Sequence, residues 1–476
     1  MPEPRPNLLL ITTDQQRWDA LGYNGNPILE TQNLDRLASS GVNFTRGYTT
    51  CPTCIAARRT ILTGQAPATH GLVGYSEEAP FDPKFTLPQL LRDAGYQTQL
   101  VGKLHQMPQR RRFGFEHMIL SNGPSFRPDS KWQKENDWID YLRTVNVPIE
   151  PNFHGINGNG RLARPWPLEE HLHQTTWLTS QAIEFMTRKR DPSQPFFLHL
   201  SYWAPHPPLI PPRDYYDRYV RRMHEYRPHH GTWVPKSDAW VPGIAPDDKF
   251  GPFRLEEIQN AMAGYYGLIN HIDDQIQRLL ESFYVYGGSR GAEPMYVLFT
   301  SDHGEMLGDH HMFRKTVAYE GSAHVPFFIS GRNVPIKKSS SDELVCLEDI
   351  LPTLCELGGA KIPEGVDGKS LAPILRGEKL KVREDLHGEH TGKTIGHHYL
   401  VHKKHKYIWY VDQNEEQIFD LEEDPFERVD ISGNRALLKD LRSRMSKHLQ
   451  GRSDFSYDPK KLKPLENGQP AGFWSR

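Results

Sequence analysis

Asn7-Leu-Leu-Leu-Ile11-Thr-Thr-Asp14 is an apolar run without polar alternation that ends on an acid. Continuous apolarity over so short a stretch predicts a strand buried on both faces, hence a parallel one, with Asp14 at its carboxyl end. Similar runs at 96–101, 196–200 and 295–300 predict further strands. Helical patterns lie between them. One spans 31–40, with Thr31 as N-cap and Leu34 and Leu37 on one face, and another spans 86–94. Ile258, Met262, Tyr265, Ile269, Ile272, Ile276 and Leu279 step by three and four, which marks a long amphipathic helix. Strands alternating with helices predict an α/β sandwich around a mostly parallel sheet, in which chemistry gathers at the carboxyl ends of the strands.

With 476 residues the chain can bury one large core or a large core plus a smaller one. Its 57 basic and 59 acidic side chains balance, which favours neither a nucleic-acid nor a membrane-surface partner. Four cysteines make no disulfide framework. Residues 1–6 carry neither a basic region nor a long apolar stretch. The chain as it stands is therefore expected in the cytoplasm, with a periplasmic or secreted location left open if a leader was removed. The segments 110–177 and 207–253, rich in Pro, Trp, Tyr and His, are expected to be ordered loops walling a site. After 376 the texture changes to short alternating runs around 399–402, 406–410 and 417–420, then a helix at 436–449 and a polar tail. The expected division is a catalytic domain at 1–376 and a smaller antiparallel subdomain at 377–476.

The pivotal stretch is Cys54-Ile-Ala-Ala-Arg58-Arg-Thr-Ile-Leu-Thr-Gly64. A cysteine that opens a helix brings its side chain and the helix N-terminus to one anion site. The stretch resembles the signature of type I sulfatases of the alkaline phosphatase superfamily, in which a Cys, four residues before an Arg, leads into Leu-Thr-Gly. Ala56 stands where that signature has Pro. Thr300-Ser-Asp302-His303-Gly304 after a strand, and Asp14 after another, resemble the family's two metal motifs. With Gln15 and His303 the pattern is similar to choline sulfatases and phosphonate monoester hydrolases. Gly102-Lys103-Leu-His105, Trp203-Ala-Pro-His206 and Arg314-Lys315 resemble the remaining elements, with His324 where Arg is commoner.

The resemblance implies an alkaline-phosphatase-like fold and hydrolysis of sulfate esters. It implies that Cys54 is converted by a formylglycine-generating maturation enzyme, and that Asp14, Cys54, Asp302 and His303 hold one divalent cation, calcium first and manganese second. It also implies catalytic roles for Arg58, Lys103, His105, His206 and Lys315. The hydrated aldehyde attacks sulfur, His206 or Lys315 protonates the departing alcohol, His105 is the candidate base that helps expel sulfate, and the cations offset charge on the sulfuryl oxygens.

Three other readings remain. The same metal pattern serves a phosphonate monoester or phosphodiester hydrolase. A non-catalytic protein binding sulfated sugars would keep Cys54 as a thiol. Cys51-Pro-Thr-Cys54 alone could be half a zinc site or a redox pair, although Cys346 and Cys355 supply no second short spacing. Finally, His387, Glu389 and His390, with His397 and His398 nearby, form either a solvated loop or a group that reaches over the pocket and selects the alcohol. A sugar needs paired hydrogen-bond partners of that kind, whereas choline needs an aromatic cage, so a sulfated carbohydrate is expected before choline sulfate, with an aryl sulfate as the other candidate substrate.

Overall fold

The computed structural model describes residues 5–123, 135–147, 154–234, 245–286, 293–378, 381–391, 396–411 and 414–452, with a short strand pair at 457–458 and 463–464. Eight strands form the central sheet: β1 (Asn7–Asp14), β2 (Val42–Tyr48), β3 (Gln97–Gly102), β4 (His117–Leu120), β5 (Phe196–Pro205), β6 (Met295–Ser301), β7 (Phe327–Arg332) and β8 (Ser339–Cys346). Their order is β4-β3-β5-β1-β6-β7-β2-β8. All neighbours run parallel except at β7, which is antiparallel to both β6 and β2.

All eight residues of β1 are buried, as its unbroken apolarity requires. Leu9 and Ile11 face a layer built by the helices Gln174–Glu184 and Leu255–Tyr286, while Leu8 and Leu10 face one that includes Cys54–Thr63 and Ile350–Gly358. Each such side chain contributes about 1.5–3 kcal/mol by leaving water.

A second sheet is an antiparallel meander of β9 (Asp385–His390), β10 (His397–His402), β11 (His405–Tyr410) and β12 (Glu415–Asp420). Tyr399, Val401, Ile408 and Phe419 on one face pack against Tyr48 and Tyr319 of the larger part. Leu400, Tyr407, Trp409 and Ile418 on the other receive Leu441 and Met445 of the helix Arg435–His448. Lys406 crosses the junction, with Nζ 2.7 Å from Glu320 Oε1 and 3.2 Å from Glu427 Oε1.

Several local expectations need correction. The helix Gln32–Ser39 is present, but the Thr31 hydroxyl donates to Asp35 Oδ1 at 2.8 Å instead of capping a backbone N–H. Thr86 does cap Leu87–Asp93, accepting from Gln89 N. The segments expected as loops carry β4 and the helices Asp137–Thr144 and Arg213–Val220. Their stretches 124–134, 148–153 and 235–244, and most of the polar tail, lie outside the described residues. Among the described residues no helix is long and apolar enough to cross a membrane.

Candidate active site

The central strands β3, β5, β1 and β6 are neighbours and parallel, so their carboxyl ends deliver Lys103, His206, Asp14 and Asp302 side by side. Thr13 of β1 pairs with Ser301 of β6, and the Asp302 N–H donates to Thr13 O at 3.2 Å. Gln15 then turns on a left-handed backbone (φ 72°) and donates its N–H to Asp302 Oδ1 at 3.2 Å. At Gly102 (φ 114°) a Cβ would stand 1.8 Å from Ser201 O, so only glycine lets β3 approach β5 and place Lys103.

Cys54 is the first residue of the helix Cys54–Thr63, and Thr53 lends it no side-chain cap, which leaves the helix N-terminus facing the site. Its Sγ lies 3.1 Å from His303 Nε2 and 3.9 Å from Asp14 Oδ1. One donor atom from each of Asp14, Cys54, Asp302 and His303 falls within 4.8 Å of all the others, and all four residues are buried. His303 Nδ1 donates to Gly304 O at 3.0 Å, which leaves Nε2 with its lone pair directed at Asp14 and Asp302, 3.6 Å from each Oδ1. A hydrogen bond of this kind fixes a metal-binding imidazole in its tautomer. The donor set, two carboxylates and one oriented imidazole, fits a divalent cation.

Cations surround these carboxylates. Arg58 Nε donates to Asp302 Oδ2 at 2.8 Å, Nη1 donates to Lys103 O at 2.9 Å and Ser201 Oγ at 2.8 Å, and Nη2 lies 3.4 Å from Asp14 Oδ2. Lys103 is ion-paired to Asp14 Oδ2 and sits 4.0 Å over the Trp203 ring. Burial raises the Asp14 carboxyl, but the Lys103 and Arg58 cations outweigh it and hold the group well below its ordinary value. Burial and Asp14 likewise push the Cys54 thiol up, and the Lys103 and Lys315 cations bring it below its ordinary value.

Lys315 Nζ donates to Gln15 Oε1 at 2.5 Å and meets His206 Nε2 at 2.8 Å. His206 Nδ1 is 2.7 Å from Pro207 O and donates to it, so Nε2 is the acceptor for Lys315. Burial and the Lys315 charge keep His206 well below its ordinary value. His105 is half-buried at φ 56°, its ring 6.3 Å from that of Tyr75, and burial with Lys103 and Arg58 keeps it neutral.

The structure thus brings Asp14, Cys54, Arg58, Lys103, His206, Asp302, His303 and Lys315 together. Gln15, read in the sequence only as part of the metal-motif resemblance, joins them, as do Ser201 and Trp203, to which sequence reasoning gave no role; Ser201 reaches the site only through the pairing of β5 with β3. His324 is elsewhere, stacked between Trp18 at 4.8 Å and Tyr48 at 4.7 Å and paired with Glu320 at 2.7 Å. Cys51 packs with Ile55, Ala56 and Leu72, and burial pushes its thiol well up, which leaves the Cys51–Cys54 zinc reading without geometry.

The histidine cluster is neither a loop nor solvated. It occupies β9 and β10, with His390 opposite His397 and Glu389 opposite His398. The strand pleat divides it. His387, Glu389 and His398 share the face of Leu400 and Trp409, under the terminal helix. There the His387 ring stacks on His448 at 5.5 Å, and Arg452 clamps the Glu389 carboxylate at 2.9 and 2.8 Å. Donor atoms of His387, Glu389 and His398 also lie within 4.8 Å of one another, but the guanidinium already neutralises the carboxylate. Of the three residues expected to meet substrate, His390 alone shares the face that packs on the larger part.

Comparison with known proteins agrees with this geometry. The sulfatase family model matches residues 6–360, and the model for the C-terminal part of N-sulphoglucosamine sulphohydrolase matches 308–454. An arylsulfatase of Clostridium perfringens (strain 13 / Type A) is 39% identical over 472 residues, covering 96% of this chain and 97% of its own. The phosphonate monoester hydrolase of Agrobacterium radiobacter superposes with a TM-score of 0.78 at 23% identity, covering 94% and 95% of the two chains. A structure solved in complex with its substrate D-glucosamine-2-N,6-O-disulfate superposes at 0.74 and 20% identity, covering 97% and 100%. The fold is alkaline-phosphatase-like, the chemistry is hydrolysis of sulfuric esters, and the chain belongs to the sulfatase family.

Proposed function

We propose that Asp14, Asp302 and His303 hold one divalent cation, calcium before manganese, and that Cys54 becomes the nucleophile of sulfate-ester hydrolysis after conversion to formylglycine by a maturation enzyme. The single observation behind this is the convergence of four buried donor atoms at the start of the helix Cys54–Thr63. Carboxylate oxygens and one imidazole suit a hard cation, which when bound would polarise the sulfuryl oxygens. Cys54 Sγ stands where an oxygen of the hydrated formylglycine would stand, and that group would supply one hydroxyl to attack sulfur and a second to release sulfate.

The chain's own groups then have definite tasks. Arg58 and Lys103 keep Asp14 ionised, Arg58 also pairs with Asp302, and both cations offset charge that develops on sulfate. Lys315, positioned by Gln15, donates toward His206 Nε2, and this pair supplies the proton to the departing alcohol. Neutral His105 accepts a proton when sulfate is expelled. Residues 1–376 carry this machinery, and 377–476 close the site and contribute to choice of the alcohol, which we take to be a carbohydrate.

The test is turnover of the matured protein on an aryl sulfate, a phosphodiester and a phosphonate monoester, with mass spectrometry of the Cys54 peptide. We expect the sulfate ester to lead and the peptide to be lighter than the cysteine form. Cys54→Ala should abolish turnover, and Cys51→Ala should retain most of it. A lead for the phosphonate, or full activity in Cys54→Ala, refutes the assignment.

A further inference from the structure

Two polar side chains beside the proposed sulfate site have no role in the chemistry above. His390 closes β9, and three hydrogen bonds pin that strand end to the chain around Cys54. The Glu389 N–H donates to Thr50 O at 2.7 Å, the Thr391 N–H to Val73 O at 3.1 Å, and Tyr399 Oη to Thr49 O at 2.5 Å. His390 sits between the first two anchors. It is only 5% exposed, yet among the described residues neither of its ring nitrogens has a hydrogen-bond partner. An imidazole buried with both nitrogens unsatisfied is costly, which points to an absent polar group.

Lys249 approaches from another element. Its Nζ donates to Thr316 Oγ1, and the Thr316 N–H donates to Pro52 O at 3.0 Å, two residues before Cys54. Lys249 lies 5.0 Å over the Phe250 ring and makes no ion pair with any carboxylate among the described residues. Arg314 and Lys315 crowd it with further positive charge. Burial and these two cations bring its amino group down to about 7. Its charge also reaches His390, where burial and His397 already hold the imidazole neutral. The strand end that carries His390 and the Thr316 that holds Lys249 are thus both hydrogen-bonded to residues 50–52, just before Cys54, in a region rich in donors.

We infer that Lys249 and His390 form an anion-accepting subsite next to the sulfate centre, and that the favoured substrate is a sulfated sugar bearing a second negatively charged group. This rests on the carbohydrate reading above and narrows it. A carboxylate of a uronic acid and a second sulfate share the required chemistry, an oxyanion that takes one N–H from His390 and an ammonium from Lys249.

The experiment measures kcat/KM of the matured full chain on 4-nitrophenyl sulfate, a neutral monosulfated N-acetylhexosamine, a disulfated hexosamine and a sulfated uronate disaccharide. The parent should prefer one doubly anionic sugar over the neutral one, and whichever leads names the anion. Lys249→Met should lower the ratio of doubly anionic sugar to aryl sulfate roughly tenfold or more, the loss of one charge-assisted hydrogen bond. Lys249→Arg should restore much of it, and His390→Phe should lower the same ratio. Equal losses on every substrate, or a parent with no preference for the second charge, overturn the subsite. A parent that turns over aryl sulfate but no sugar overturns the carbohydrate reading instead, and one inert on all sulfates overturns the proposed chemistry.

Discussion

Removing the Arg58 guanidinium is the sharpest test of how the charged centre is held. Arg58 is 3% exposed and is the residue that joins Asp302 to Asp14. In Arg58→Ala, Asp14 keeps Lys103, but among the described residues the one basic side chain left within 4 Å of Asp302 is the His303 imidazole. Stripping one partner from a buried pair costs about 3–5 kcal/mol, because the remaining charge stays desolvated. An unfolding entropy of about 2.1 cal/mol/K per residue over 476 residues amounts to about 1 kcal/mol/K, so the melting temperature should fall by about 3–5 °C. The fall should be largest in chelator and smaller with saturating calcium, since a bound cation would compensate the same carboxylates. Turnover of aryl sulfate should drop by about 10²–10³, as when one preorganised donor to the transition state is lost. The assay is calorimetry with and without calcium, followed by initial rates. A shift under about 1 °C in chelator, together with intact turnover, would show that Arg58 neither braces the carboxylates nor meets the sulfate.

Other expectations are quickly checked. Exhaustive chelation should abolish turnover, and Asp14→Asn or Asp302→Asn should raise the calcium concentration needed to restore it; undiminished rates in chelator would sink the metal assignment. Burial and neighbouring Glu320, only partly countered by Lys406, raise Glu427 from 4.5 to about 8. The folded state therefore binds the extra proton between these values, and stability falls as pH climbs through that window. Glu427→Gln removes this titration, so its melting temperature relative to the parent should be more favourable at pH 8 than at pH 5; equal differences at both would refute the argument. Gly102→Ala should lower both melting temperature and kcat, since its Cβ meets Ser201 O at 1.8 Å and displaces Lys103; normal kinetics in that variant would contradict the placement.

The sequence alone determined the strands that carry the chemistry. Runs such as 7–11, 196–200 and 295–300 are apolar on both faces because they lie inside a parallel sheet, and that pattern is local. The helix Leu255–Tyr286 was equally plain, since one long apolar stripe needs no tertiary context to be seen. The Cys54, Asp14 and Asp302 motifs were legible because their chemistry is written in consecutive residues. What lay hidden was whatever depends on partners distant in the chain. β8, beginning Ser339-Ser-Ser-Asp, is an edge strand whose outer half is polar and exposed, so it gives no apolar signal, and β2 breaks its apolar run with a buried Asn43, an exposed Thr45 and a half-buried Arg46. Gln15, Ser201 and Trp203 acquire tasks only once Lys315, Arg58 and Lys103 arrive from other strands and loops. The histidines at 387–398 show the division most clearly. Their composition was visible, but which of them faces the Cys54 side is settled by the two-residue pleat of β9 and by the hydrogen bonds that tie its end to Thr50 and Val73.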